Sequence, residues 1–94
     1  MTEKIVCPTI HLNGTSPDNL LAPLREAISA TRHAIAMLSE CGPNGRDYYV
    51  QGSEAIYVAT RQHNERLASL LCTQNELRTI EQSICDQVEQ RSKR

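Results

Sequence analysis

The sequence has no tryptophan or phenylalanine, and three tyrosines are its only aromatic residues. Without large rings, the core has to be built from leucine, isoleucine, valine and alanine, a composition that favours helix-on-helix packing over a β-sandwich. An excess of one charge is missing too, since ten Lys and Arg stand against eleven Asp and Glu. This balance gives no electrostatic reason to bind nucleic acid, and a small DNA-binding regulator is disfavoured.

Long apolar runs are also missing. The segment MTEKIVCPTI has no apolar core long enough for a signal peptide or a membrane anchor, so neither is expected, and no membrane partner is predicted. The four cysteines show no CxxC spacing, which favours free thiols in a reducing cytosol. A zinc site at Cys7 and His11 lacks a second closely spaced ligand pair, so we expect no metal and no cofactor.

Glycine and proline are scarce, with four of each in 94 residues, and three of the glycines fall in the stretch CGPNGRDYYVQG at positions 41–52. Helical sequence lies on both sides of this stretch. The chain is therefore predicted to be one mainly α domain over 1–94, a two-helix antiparallel hairpin. Helix 1 is predicted over 16–41, the loop over 42–52 and helix 2 over 53–90. Residues 1–14 are rich in β-branched side chains but contain Pro8, which predicts a short β-strand or an arm.

Helix 1 is expected to start at a cap formed by Thr15 or Ser16, and to stop at Gly42 and Pro43. At Pro23 we expect either a bend or a first turn that is separate from the rest of the helix. For helix 2, Ser53 is the predicted cap.

Helix 2 is predicted to be about 55 Å long, more than helix 1 can cover. The uncovered apolar length at Ile80, Ile84 and Val88 predicts a homo-oligomer, a homodimer or higher, although the N-terminal arm is another candidate cover. His63 lies on the apolar stripe and is interpreted as a hydrogen-bonded histidine of the helix seam.

The loop is the first candidate binding site. Arg46 offers a planar fork of donors for a phosphate or carboxylate, and Tyr48 or Tyr49 offers a ring for stacking, with Asn44 beside them. In the alternative interpretation, Arg46 and Asp47 pair with neighbours and the tyrosines plug the open end of the hairpin.

A turn before helix 1 is the second candidate, formed by His11, Asn13, Thr15 and Ser16. Backbone amides and hydroxyls at a helix start attract anions, but the same residues can serve only to cap the helix. A helix of 25 residues separates turn and loop by roughly 35 Å, so they can share a small ligand only across an antiparallel dimer. The sequence contains no paired acids and no Ser-His-Asp spacing, and an enzyme is not expected.

The stretches HLNGTS and PNGRDYYVQG together resemble the signature stretches of small bacteriophage and prophage proteins, over about residues 9–90. Val50 stands where the pattern has proline. The resemblance implies a turn before one helix and a loop before a second, and it favours host-takeover or anti-defence roles in the bacterial cytosol. The leading hypothesis is a non-enzymatic oligomer that binds a small anionic, nucleotide-derived signal and acts as a sponge. The alternative is a helical protein–protein adaptor or inhibitor that docks on a host or virion protein.

Overall fold

The computed structural model describes residues 3–92, which form two long α-helices that pack against each other, so the predicted helical hairpin is confirmed. Helix α1 spans Pro17–Ser39 and helix α2 spans Ala55–Ser92. The loop between them contains two short 3₁₀ helices, Gly45–Asp47 and Tyr49–Gln51. No β-strand occurs in residues 3–92, so the N-terminal segment is an arm and not a paired strand.

The start of α1 follows its sequence, whereas its end does not. Ser16 is the N-cap, and its side chain accepts a hydrogen bond from the Asn19 N–H over 3.3 Å, as predicted. The helix runs through Pro23 without a break, so Pro17 does not begin a separate first turn. It stops at Ser39, before Gly42, and Gly52 is the one glycine in the described chain with a positive φ. A left-handed glycine cap therefore does not end α1.

Helix α2 has 38 residues and is about 57 Å long at 1.5 Å per residue. It begins at Ala55, two residues after the predicted start. The Glu54 carbonyl accepts the first hydrogen bonds, from Tyr57 N–H and Val58 N–H, and Ser53 lies outside the helix. The first turn is thus organised by a backbone carbonyl of Glu54.

Two contacts fix how the helices are aligned. Arg25 Nε lies 2.9 Å from Glu81 Oε2, and Gly42 lies against the His63 ring. Helix α1 therefore runs antiparallel to α2 and covers it from about position 63 to its C-terminal part. The uncovered end of α2 is its beginning, next to the loop.

We expected an uncovered apolar surface at Ile80, Ile84 and Val88 of α2. For Ile84, the central residue of the three, this prediction is wrong, because its side chain is only 1% exposed. The N-terminal arm explains this burial. Ile10 N–H donates to Gln87 Oε1 over 2.8 Å, and Gln87 Nε2 donates to the Pro8 carbonyl over 2.9 Å. At 3.6 residues per turn, a residue three positions away is rotated by about 60° around the helix axis. Gln87 and Glu81 therefore lie on opposite sides of Ile84. The arm covers one side of Ile84 and α1 covers the other.

The core of this hairpin is small. Its buried hydrophobic residues, within the described chain, are Leu21, Ile28 and Ile84. Two polar residues of α2, His63 and Gln74, are 8% exposed in the same seam. The predicted burial of His63 is confirmed, but its ring makes no hydrogen bond within residues 3–92. The chain has extents of 65 × 28 × 20 Å, so most side chains lie near the surface.

Candidate functional site

The loop is ordered by the backbone around Asn44. Its side-chain Oδ1 accepts a hydrogen bond from the Arg46 N–H over 3.0 Å, and its carbonyl accepts one from the Asp47 N–H over 3.0 Å. Asn44 is therefore the cap of the first 3₁₀ helix. Its side-chain oxygen helps to position the Arg46 backbone, and its amide nitrogen is the donor that remains for an anionic ligand.

Arg46 is the exposed cation of this loop. Its guanidinium forms no ion pair and no hydrogen bond within residues 3–92. Asp47, the neighbour with which it was expected to pair in the alternative interpretation, is also exposed and makes no such bond. The five N–H donors of Arg46 are thus free to bind a planar anion such as a carboxylate or phosphate.

The two loop tyrosines have different surroundings. Tyr48 is half-buried and lines a cavity of about 540 Å³ between the loop and the first two turns of α2, whereas Tyr49 is 72% exposed. The tyrosines do not both plug the end of the hairpin. The rest of the cavity lining is small, polar or aliphatic, and its one charged residue is Glu54; the other lining residues are Gln51, Gly52, Ser53, Ala55, Val58, Ala59 and Gln62.

Arg46 does not line this cavity. The carboxylate of Glu54 would repel an anion placed inside it, because like charges in a partly enclosed site raise the free energy. The geometry therefore separates two functions: an anionic group suits the outer face of the loop at Arg46, and an uncharged group suits the cavity beside Tyr48.

The turn before α1 has one side chain and one backbone carbonyl engaged in local hydrogen bonds. Gly14 N–H donates to the His11 carbonyl over 3.1 Å, and the His11 ring lies so close that a Cβ on Gly14 would be 2.8 Å from Nε2. The Ser16 hydroxyl is used as the cap of α1. Asn13 and Thr15 are exposed, and their side chains make no hydrogen bond in the described chain. The exposed His11 ring also makes no hydrogen bond in the described chain, and Ser16 keeps its hydroxyl proton, so of the four predicted residues only Ser16 has its side chain partly occupied.

The structure does not bring the turn and the loop together within one chain. They lie at opposite ends of α1, whose 23 residues span about 34 Å. A composite site of His11, Asn13, Thr15 and Ser16 with the loop would require a second chain, and this remains a prediction.

The sequence did not predict that the start of α2 adds exposed side chains to the loop end of the hairpin. Tyr57 and Val58 are exposed in the first turn of α2, and Tyr49 and Val50 are exposed in the loop that precedes it. The signal was present, since all three tyrosines fall between positions 48 and 57. Only the observed register of the helices shows that α1 leaves this stretch of α2 uncovered.

Comparison of the chain with protein-family models, curated proteins and solved structures found no match. Neither α1 nor α2, over the residues described, contains a stretch both long and apolar enough to cross a lipid bilayer.

Proposed function

We propose that this protein is a non-enzymatic homo-oligomer that binds a small anionic, nucleotide-derived ligand at the loop end of the hairpin and thereby sequesters it. The observation that supports this proposal most directly is the exposed Arg46 guanidinium, which has no partner within residues 3–92 and lies three residues from exposed Tyr49. A guanidinium can bind a phosphate through two parallel hydrogen bonds and an aromatic ring can stack on a base, so this pair of residues suits a phosphate-bearing nucleotide.

The chemistry assigns a role to each side chain. Arg46 donates two parallel hydrogen bonds to a phosphate, which are stronger than neutral hydrogen bonds because both partners are charged. Tyr49 offers an exposed face on which a base stacks, and Tyr48 lines the cavity that receives an uncharged part of the ligand. The Asn44 amide nitrogen and, from a second chain, His11, Asn13, Thr15 and Ser16 supply further donors.

Sequestration needs binding groups and no catalytic group, and the Arg46 loop offers groups of that kind. In the cytosol of a bacterial host, a sponge of this kind would lower the free concentration of a signalling nucleotide. The resemblance of HLNGTS and PNGRDYYVQG to phage and prophage proteins supports that setting.

A protein–protein adaptor or inhibitor is the second candidate, and one observation favours it. Near the loop end, four large hydrophobic side chains are each exposed: Tyr49, Val50, Tyr57 and Val58. Aromatic residues are enriched at the centres of protein interfaces. In this alternative, the docking surface is the loop end of α2 and not its C-terminal part, which the arm covers.

The test is a thermal-shift screen with nucleotides and cyclic oligonucleotides, followed by calorimetry on any compound that stabilises the protein. Arg46→Ala should weaken binding roughly 30- to 1000-fold, because about 2–4 kcal/mol of charge-assisted bonding is lost. Arg78→Ala is the matched control, since Arg78 is an exposed arginine of α2 outside the loop. If no compound stabilises the parent protein, or if both variants bind equally well, the ligand proposal is wrong.

A further inference from the structure

The N-terminal arm is held on α2 through one of its two backbone edges. The Gln87 amide accepts from Ile10 N–H and donates to the Pro8 carbonyl, at 2.8 and 2.9 Å. In an extended chain, the carbonyl of one residue and the N–H two residues later point to the same side. The amide of Gln87 therefore takes the place of a neighbouring strand on the inner edge of the arm.

The outer edge of the arm has no such partner. By the alternation of an extended chain, the N–H and C=O groups of Cys7 and Thr9 point to the side opposite Gln87. None of these four groups has a hydrogen-bond partner within residues 3–92. Buried backbone groups of proteins are almost always paired, so unpaired groups have to be hydrated and accessible. Thr9 is exposed, in agreement with this requirement.

Proline does not interrupt the outer edge. Pro8 lacks an N–H, but its missing donor would point towards Gln87, on the inner side. The outer edge keeps the donors of Ile5, Cys7 and Thr9. The arm therefore has one edge occupied by α2 and one edge ready to pair with another extended chain.

We propose that the arm pairs with the arm of a second copy of this chain as a two-stranded antiparallel ribbon centred on Thr9. In this register, Thr9 faces Thr9 of the second copy as a hydrogen-bonded pair. Val6 then lies near the turn of the second copy that contains Leu12, and these side chains are 90% and 92% exposed in the single chain. Pro8 falls opposite Ile10, at a position that needs no N–H. The two-fold symmetry makes the contact self-complementary.

The exposed area of the single chain is large enough for an interface with a second copy, which the self-complementary arm edge would begin. A compact monomer of 10.5 kDa is expected to expose roughly 5,400 Å², whereas this chain exposes 7364 Å². The difference, about 2,000 Å², exceeds the roughly 800 Å² that each partner buries in a stable interface. This inference names a surface for the proposed homo-oligomer and is independent of ligand binding at the loop.

Cysteine cross-linking tests the register. In a background with Cys7, Cys41, Cys72 and Cys85 changed to serine, Thr9→Cys should form a disulfide dimer rapidly under mild oxidation. The expected Cα–Cα distance of about 5.5 Å for a hydrogen-bonded pair lies within the disulfide range. Lys4→Cys is the control, because it lies in the same arm and is exposed. In this register the two Lys4 positions are ten residues apart along the ribbon, roughly 33 Å, so they should not cross-link.

Light scattering of the reduced protein distinguishes failure of the arm pairing from failure of the proposed homo-oligomer. A monomer at high micromolar concentration overturns both the arm pairing and the proposed homo-oligomer. A dimer in which Thr9→Cys cross-links no faster than Lys4→Cys overturns the arm pairing alone. As a second variant, Thr9→Pro in the native background removes two hydrogen bonds of the central pair, and it should weaken dimerisation about tenfold or more with helicity unchanged. An unchanged dimerisation constant also overturns the arm pairing.

Discussion

Ile84 carries more of the packing than any other hydrophobic residue of the described chain, since it is 1% exposed. Truncating it to alanine should lower the free energy of unfolding by about 2–5 kcal/mol, because buried contacts are lost and a cavity forms. Val88→Ala, one turn further along α2 at an exposed position, should cost much less. Urea unfolding of both variants checks this prediction, and equal losses would contradict it. Ile84→Glu would unfold the chain, so it cannot be used to test association alone.

The thiol of Cys72 has an unusual neighbour for an exposed residue. It donates a hydrogen bond to the Glu76 carboxylate over 3.5 Å, and this bond, then the negative charge of Glu76 and slight desolvation, raises the pKa of Cys72. The pKa of Cys72 is therefore higher in the folded than in the unfolded protein. The stability contributed by this contact is fully present at pH values below the unfolded-state pKa, and it is lost as the pH rises through the folded-state pKa.

Since the thiolate is the reactive form, we predict that Cys72 is alkylated more slowly than Cys41 at the same mildly alkaline pH. Cys41 is also exposed, but its thiol donates to the neutral Met37 carbonyl over 3.3 Å. Glu76→Gln should lower the pKa of Cys72 and accelerate its alkylation, with Cys41 as the internal control. Mass spectrometry after timed treatment with iodoacetamide measures both rates. An unchanged Cys72 rate in Glu76→Gln would show that the carboxylate has no influence.

At the scale of the elements, a single side chain of α2, Gln87, forms the two hydrogen bonds that hold the arm backbone against that helix. Gln87→Ala removes both hydrogen bonds to the arm backbone and should cost about 1–3 kcal/mol. It should also increase hydrogen exchange at the Ile10 amide. Gln87→Glu keeps the acceptor for Ile10 but places a carboxylate against the Pro8 carbonyl, so it should not restore the arm. Gln82→Ala is the control, because Gln82 bonds only to Asp86 on its own helix. Equal exchange at Ile10 in the Gln87 and Gln82 variants would contradict this anchoring role.

The sequence predicts the positions of the helices but not how they are aligned with each other. The two helices were predictable because apolar residues recur every three to four positions and because Ser16 is a strong cap. Their alignment was not, since a regular stripe allows several registers and neither the Arg25–Glu81 pair nor the Gln87 anchor has a sequence signature. The uncovered length was therefore assigned to the wrong end of α2.

For the candidate site, the sequence identified suitable residue types but did not show which of them already form hydrogen bonds within the chain. Arg46 and Tyr49 are exposed as a binding role requires, but Asn44 and Ser16 use their side-chain oxygens as caps. Capping and binding require the same polar residues at the same turns, so composition alone cannot separate them.

At the scale of the whole molecule, the small core and large surface predict that stability depends on protein concentration. If copies associate, the melting temperature should rise between about 1 and 100 µM, because mass action favours the assembled folded state. Thr9→Pro should reduce this dependence while leaving the melting temperature of the dilute protein nearly unchanged. Differential scanning fluorimetry at several concentrations is the measurement. A melting temperature that is constant across this range would indicate that the hairpin is stable as a single chain.

The contact between the arm and α2 also has a consequence for the order of events during synthesis. Pro8 and Ile10 are bonded to a residue 79 and 77 positions later in the chain. At about 5–20 residues per second, a ribosome needs roughly 4–16 s to reach Gln87 after making the arm. Throughout that interval both edges of the arm are open on the nascent chain. Neighbouring chains on one messenger RNA could therefore meet through their arms before either hairpin has closed.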